Sequence, residues 1–173
     1  MRTNEAKNKA RIYFGSGYNC AESVLLAIAE DVLKVKHDLI PKIATGFGGG
    51  ISRQGCICGA VSGAIMGLGL KYGRSSPEEL RARTYNRVEE FLRQFRGKHG
   101  SLICKELCGC DLSTIEGIRK FRDENVHAEK CTSFVSTAVK IFTILINEIP
   151  SEKNSTPIAY EENVRKQDRE PKK

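Results

Sequence analysis

The feature that most limits what this chain can become is the stretch 54–70, which holds no charged side chain and five glycines. Residues 58–72 around it read as a helix, yet Gly59, Gly63, Gly67 and Gly69 stand inside it. Each glycine in a helix interior costs about 1 kcal/mol relative to alanine, so a packing gain has to offset them. On a helical wheel Gly59, Gly63 and Gly67 fall on one side with Ala60 and Ala64, a surface low enough for another backbone or a bound group to come close. The stretch is shorter than the ~20 apolar residues of a membrane-crossing helix, so we expect it in a packed interior and expect no membrane span.

The rest of the sequence supplies elements to pack against it. Helical periodicity recurs along the chain and alternating strand patterns are nearly absent. This predicts an all-α fold, a compact bundle of about five to seven helices, with the glycine-rich loop Thr45-Gly46-Phe47-Gly48-Gly49-Gly50-Ile51 before the small-residue helix. A first helix is expected over 4–14, burying Ala6, Ala10, Tyr13 and Phe14. A second runs to about residue 35, where Asn19 and Glu22 have capping-box spacing. Ser76-Pro77-Glu78-Glu79 has the N-cap, proline and glutamate of a helix start, and the stripe Leu80, Tyr85, Val88, Phe91, Leu92 and Phe95 follows until Gly97 and Gly100. Ser113 with Glu116 caps a short helix, and 129–148 forms the last long one with Cys131, Val135, Ala138, Phe142 and Leu145 facing inward. The domain is placed at 1–150, and the polar segment 151–173 reads as a disordered tail.

The net charge of +7 raises the question of nucleic acid. Its distribution argues against it: Arg81, Arg83, Arg87, Arg93, Arg96 and Lys98 share one helix with Glu78, Glu79, Glu89 and Glu90, a solvated face of mixed sign with no aromatic and basic recognition platform. The N-terminus has charge but no apolar run behind it, so nothing marks it as a secretion signal, and the chain is read as cytoplasmic. In a reducing compartment its seven cysteines are metal ligands, redox thiols or buried apolar residues rather than a disulfide framework.

Two cysteines stand out by position. Cys20 follows Asn19 in the first turn of a helix, and Cys58 opens the small-residue helix. Free amides and the helix dipole at such ends favour a thiolate, the form that binds metals or attacks disulfides. Cys56-Ile57-Cys58 and Cys108-Gly109-Cys110 are C-x-C pairs, and Cys104 adds a C-x3-C, none with the C-x2-C spacing of zinc ribbons or thioredoxin-type sites. Cys131 lies at the start of the last helix with His127 four residues before it as a candidate extra ligand. There is no G-x-S-x-G motif and no Walker lysine, and Gly48-Gly49-Gly50 lacks the strand-turn-helix setting of a nucleotide loop.

Gly17-Tyr18-Asn19-Cys20-Ala21-Glu22, Gly46-Phe47-Gly48-Gly49-Gly50-Ile51, Cys58-Gly59-Ala60-Val61-Ser62-Gly63, Cys104-Lys105-Glu106-Leu107 and Lys130-Cys131 together resemble the C_GCAxxG_C_C family of redox-active proteins, over about residues 10–149. The resemblance implies a small helical protein with four characteristic cysteines, which map to Cys20, Cys58, Cys104 and Cys131. Cys56, Cys108 and Cys110 fall outside that pattern, and Cys108 competes with Cys104 for the third position. Similar domains occur beside cytochrome modules where an iron–sulfur site has been proposed. This chain has no C-x-x-C-H haem attachment, so no haem role carries over.

The resulting expectation is a cytoplasmic redox protein whose four cysteines bind an iron–sulfur cluster of the two-iron type, shaped by Gly48, Gly49, Gly59 and Gly63, and which serves an electron donor or acceptor protein. Two rivals stand beside it. One is a metal-free thiol–disulfide protein in which Cys58 attacks and a neighbour resolves. The other is a four-cysteine zinc site in a partner-binding module. The small-residue face is also a candidate homodimer interface.

Overall fold

The computed structural model describes residues 2–148; the expected tail lies outside them. The all-α bundle is what the chain forms. Among the described residues there are eight α-helices: α1 Arg2–Gly15, α2 Cys20–Ala27, α3 Leu39–Ala44, α4 Gly59–Tyr72, α5 Ala82–His99, α6 Cys104–Cys108, α7 Ile115–Asp123 and α8 Thr132–Asn147. Helices α1, α2, α4, α5 and α8 build the core, and the short α3, α6 and α7 dress its ends, which takes the number past seven. Two π-helical turns join in, Ile28–Leu33 continuing α2 and His127–Cys131 leading into α8. No helix among the described residues is long and apolar enough to cross a membrane.

The core follows the expected stripes. Ala6, Ala10 and Phe14 of α1, Val24 and Ile28 from the α2 segment, Phe91 and Phe95 of α5 and Val135, Ala138, Phe142 and Leu145 of α8 are buried in one cluster. The small-residue face of α4 is filled from within the chain, by α2. A Cβ on Gly63 would lie 2.5 Å from the Ala21 carbonyl oxygen, and one on Gly67 would lie 2.7 Å from Ile28 Cγ2. The two backbones therefore meet directly, and that contact offsets the glycine cost.

Two expected helix starts are corrected. Helix α5 begins at Ala82, not at Ser76, and Leu80 and Tyr85 are exposed rather than buried. In place of a helix the segment closes a local knot: the Ser75 amide donates to the Glu79 carboxylate, and the Arg74 guanidinium donates to the Pro77 and Glu79 carbonyls. The Glu79 carboxylate, which would serve a helix start, is engaged in a turn instead. At α7 the N-cap is Thr114, whose hydroxyl accepts from the Gly117 amide, while Ser113 donates to Asp111.

The glycine contacts generate a paired prediction. Gly63→Ala should destabilise the protein by ~1–3 kcal/mol through overpacking, although alanine is the better helix former by about 1 kcal/mol. Gly69 lies in the same helix with nothing within 4 Å of the added Cβ, so Gly69→Ala should stabilise by ~0.5–1 kcal/mol. Urea midpoints read both, and a Gly63→Ala variant as stable as the wild type or more so would show that the α2–α4 contact is not limiting.

Candidate functional site

The α2–α4 contact sets two helix N-termini side by side. Asn19 caps α2, accepting from the Ala21 and Glu22 amides while its own amide donates to the Glu22 carboxylate, so the expected capping box is complete. Its side-chain amide also donates to the Thr45 carbonyl at 3.0 Å, tying the glycine loop to this end. Cys20 is the first residue of α2 and Cys58 is the N-cap of α4. Between them sits Gly59, where a Cβ would lie 2.3 Å from Cys20 Sγ. Only a glycine lets that sulfur lie against α4.

A short antiparallel pairing adds the next sulfurs. The Cys58 amide donates to the Leu102 carbonyl at 2.8 Å and the Cys104 amide to the Cys56 carbonyl at 2.6 Å, around a bridge between Ile57 and Ile103. That pairing seats α6, with Cys104 and Cys108 one turn apart, beside Cys58. The π turn before α8 brings Cys131 in from the other side; such wide turns are frequent at functional positions. Cys108 Sγ lies 3.8 Å from both Cys104 Sγ and Cys131 Sγ.

Five cysteines from four segments thus line one cavity of about 450 Å³: Cys20, Cys58, Cys104, Cys108 and Cys131. All four cysteines of the expected set are brought there, and Cys108 joins them. Cys56 does not: it is exposed, its thiol 3.9 Å from the Gln54 carbonyl oxygen. Cys110 is not among the lining residues either, although it is buried just behind them, in one small cluster with Cys104, Cys108 and Val126 against which Leu112, Phe121 and Cys131 pack. Gly48 and Gly49 line the cavity, whereas Gly63 acts further along, holding α4 to α2. His127 also lines it, stacked flat on Phe14 at 3.8 Å between ring centroids. Tyr18, from the quoted segment around Cys20, lines it as well, and so do Ser52, Arg53 and Phe121, which no motif in the sequence marks.

The expectation that helix ends hold Cys20 and Cys58 as thiolates is reversed. Burial pushes both thiols up, Cys58 to about 12. The amides of Gly49, Cys20 and Ala21 around Cys20, and of Ala60 and Val61 around Cys58, pull the other way but are outweighed. Cys104 and Cys131 are pushed up by their hydrogen bonds with Cys108 and by burial, and the same two contacts hold Cys108 well below the ordinary thiol range, with Lys130 adding attraction. Lys130 also donates to the Cys108 carbonyl at 3.0 Å. Among the described residues no three Cys, His, Asp or Glu side chains are grouped around a single ion position.

A helical bundle that gathers five thiols at one cavity defines a sulfur-centred protein. The comparisons say which: residues 18–145 match the family model described as "Putative redox-active protein (C_GCAxxG_C_C)", and the chain belongs to that family. It is 30% identical over 146 residues to an uncharacterized protein of Archaeoglobus fulgidus, covering 79% of this chain and 90% of that relative. No solved structure matches.

Thiol burial sets a pH dependence for the reduced, metal-free chain. Below the ordinary thiol value of 9.0, Cys58 keeps its proton folded and unfolded; above it the unfolded chain releases the proton while the folded chain holds it up to about 12. Stability should therefore fall across that window, by up to ~1.4 kcal/mol per pH unit from this one group. Urea unfolding at pH 8 and pH 10 checks it, with Cys58→Ala expected to lose less on going alkaline than the wild type does.

Proposed function

We propose that the protein is a cytoplasmic electron carrier that holds a two-iron iron–sulfur cluster on these cysteines. The observation that supports it is the convergence of Cys20, Cys58, Cys104, Cys108 and Cys131 on one cavity with backbone amides aimed at sulfur. Four thiolates are the usual ligand set of such a cluster, and N–H donors to sulfur tune its potential. Two thiolates sharing a tetrahedral metal at ~2.3 Å stand about 3.8 Å apart, the spacing of Cys108 to Cys104 and to Cys131. A two-iron core takes its ligands as two pairs on different irons, so it does not ask for the single-ion grouping that a zinc site needs.

In this reading Cys20 and Cys58 form one pair, presented by two adjacent helix ends. Cys131 belongs to the other pair, with Cys104 or Cys108 beside it. Bound there, the cluster would accept and release single electrons for a donor or acceptor protein. The chain's own part is to keep the thiols in a largely buried corner and to aim the Gly49 and Ala60 amides at sulfur.

Iron and sulfide analysis of protein purified without oxygen tests this. Cys20→Ser and Cys131→Ser should each lose most of the iron, because serine offers a hard, weakly acidic oxygen in place of a soft thiolate. Cys104→Ser and Cys108→Ser should each keep a larger share, since the other sulfur stands within reach, and the double variant should lose it. Full iron in the Cys20 variant, or none in the wild type, rejects the proposal.

The contact of Cys108 with two thiols favours one second reading, thiol–disulfide exchange, with Cys108 rather than Cys58 as the attacking sulfur. The Cys108 thiolate would attack a disulfide of a partner protein, forming a mixed disulfide and releasing one partner thiolate. Cys104 or Cys131, losing its proton, would then attack Cys108 Sγ and expel the second, so that the partner is reduced as the pair is oxidised. Under this reading the wild type contains no iron, and a Cys104, Cys131 double-serine variant accumulates the mixed disulfide.

A further inference from the structure

From within the glycine loop to just past it, five successive residues have left-handed backbone: Gly49 at φ +64°, Gly50 at +71°, Ile51 at +61°, Ser52 at +48° and Arg53 at +68°. Three of them carry a Cβ, in a conformation that L-residues avoid and β-branched isoleucine avoids most. The surroundings hold them there. The Ser52 amide donates to the Gly46 carbonyl at 2.9 Å, the Arg53 amide to Gly48 at 3.3 Å, and the Cys56 amide to Gly50 at 3.0 Å. Gly50 is pressed against the sulfur wall, since a Cβ there would lie 2.5 Å from Cys104 Cβ. Strain that the fold over-determines in this way marks a segment kept for its placement.

What the turn places is Arg53. It is exposed at the edge of the cavity that the five cysteines line. No carboxylate lines that cavity, and among the described residues none pairs with Arg53. The same cavity is also lined by aromatic rings: Phe14 with His127 stacked on it, Phe121 and Phe134. The volume, about 450 Å³, falls in the range of small-molecule sites, roughly 300–1,000 Å³, and exceeds what a core of a few iron and sulfide atoms needs.

We propose that this cavity binds a compact organic anion with a planar apolar body, its charge on the Arg53 guanidinium and its body among the aromatic rings and the sulfurs. A guanidinium suits a carboxylate because its N–H groups form two parallel bonds with the two oxygens. The site stands on the turn, the cation and the cavity, whichever redox chemistry the sulfurs perform, and it puts a small molecule within reach of them.

The test titrates benzoate and its neutral isostere benzamide into the full chain as purified, by calorimetry, for the wild type, Arg53→Gln and Arg53→Lys. Benzoate should bind the wild type at least ~10-fold more tightly than benzamide, and Arg53→Gln should erase that margin while benzamide changes by less than ~2-fold. Arg53→Lys should keep part of it, and rising salt should shrink it, because the cation is exposed. No saturable benzoate binding, or benzoate binding that Arg53→Gln leaves unchanged, overturns the proposal. Thermal melts confirm that the variants fold, and iron measured on the same samples separates this site from the cluster: binding without iron refutes only the cluster, and iron without binding refutes only the anion site.

Discussion

Everything at the sulfur site rests on the backbone contact between α2 and α4. With Gly59 on the Cys20 sulfur, Gly63 on the Ala21 carbonyl and Gly67 on Ile28, the two helices approach more closely than side chains would allow. Their N-termini then emerge at the same corner, and each carries a cysteine. A Cβ at position 59 would push Cys20 away, and one at position 63 would separate the helices that hold both cysteines. The glycines that weaken α4 as an isolated helix are thus what gives it a partner and a site.

Gathering five thiols in one buried corner creates an electrostatic problem that the rest of the site answers. A buried thiolate is costly without compensation, and two beside each other are worse. Burial therefore favours the neutral thiols, and Cys108 alone is pulled down, by its hydrogen bonds with Cys104 and Cys131 and by the charge of Lys130. Removing further protons requires either a metal, whose charge compensates the thiolates, or a sulfur–sulfur bond, which removes them. Both readings of the redox chemistry are answers to that one constraint. They differ in whether the sulfur pairs meet through metal or directly.

The fold and half of the site were legible in the sequence. The Asn19 and Glu22 capping box, the stripes of α1 and α8 and the small-residue face of α4 are local patterns, and local physics carried them into the structure. Ser76-Pro77-Glu78-Glu79 misled because the Glu79 carboxylate closes a turn on the Ser75 amide, and Arg74, three residues upstream of Pro77, holds the Pro77 and Glu79 carbonyls there. Cys20 and Cys58 were singled out by helix position, but the sign of their pKa shift was not, since burial depends on what packs over them. The pairing of Cys58 with Leu102 and of Cys104 with Cys56 is one bridge long, too short to leave an alternating pattern. Cys108 lay outside the four-cysteine motif, so its place between Cys104 and Cys131 could only be seen once α6 was seated.

The two walls of the cavity differ in kind. The sulfur wall is assembled from helix ends and a π turn, elements whose positions the core fixes. The opposite edge is the left-handed turn ending at Arg53, which is held by hydrogen bonds from its own backbone and by Gly50 against Cys104. Strain of this kind persists only where neighbours enforce it, and here the enforcing neighbour, Cys104, belongs to the sulfur wall. Cys104 thus serves both walls: its sulfur stands 3.8 Å from Cys108, and its Cβ packs where only a glycine at position 50 fits.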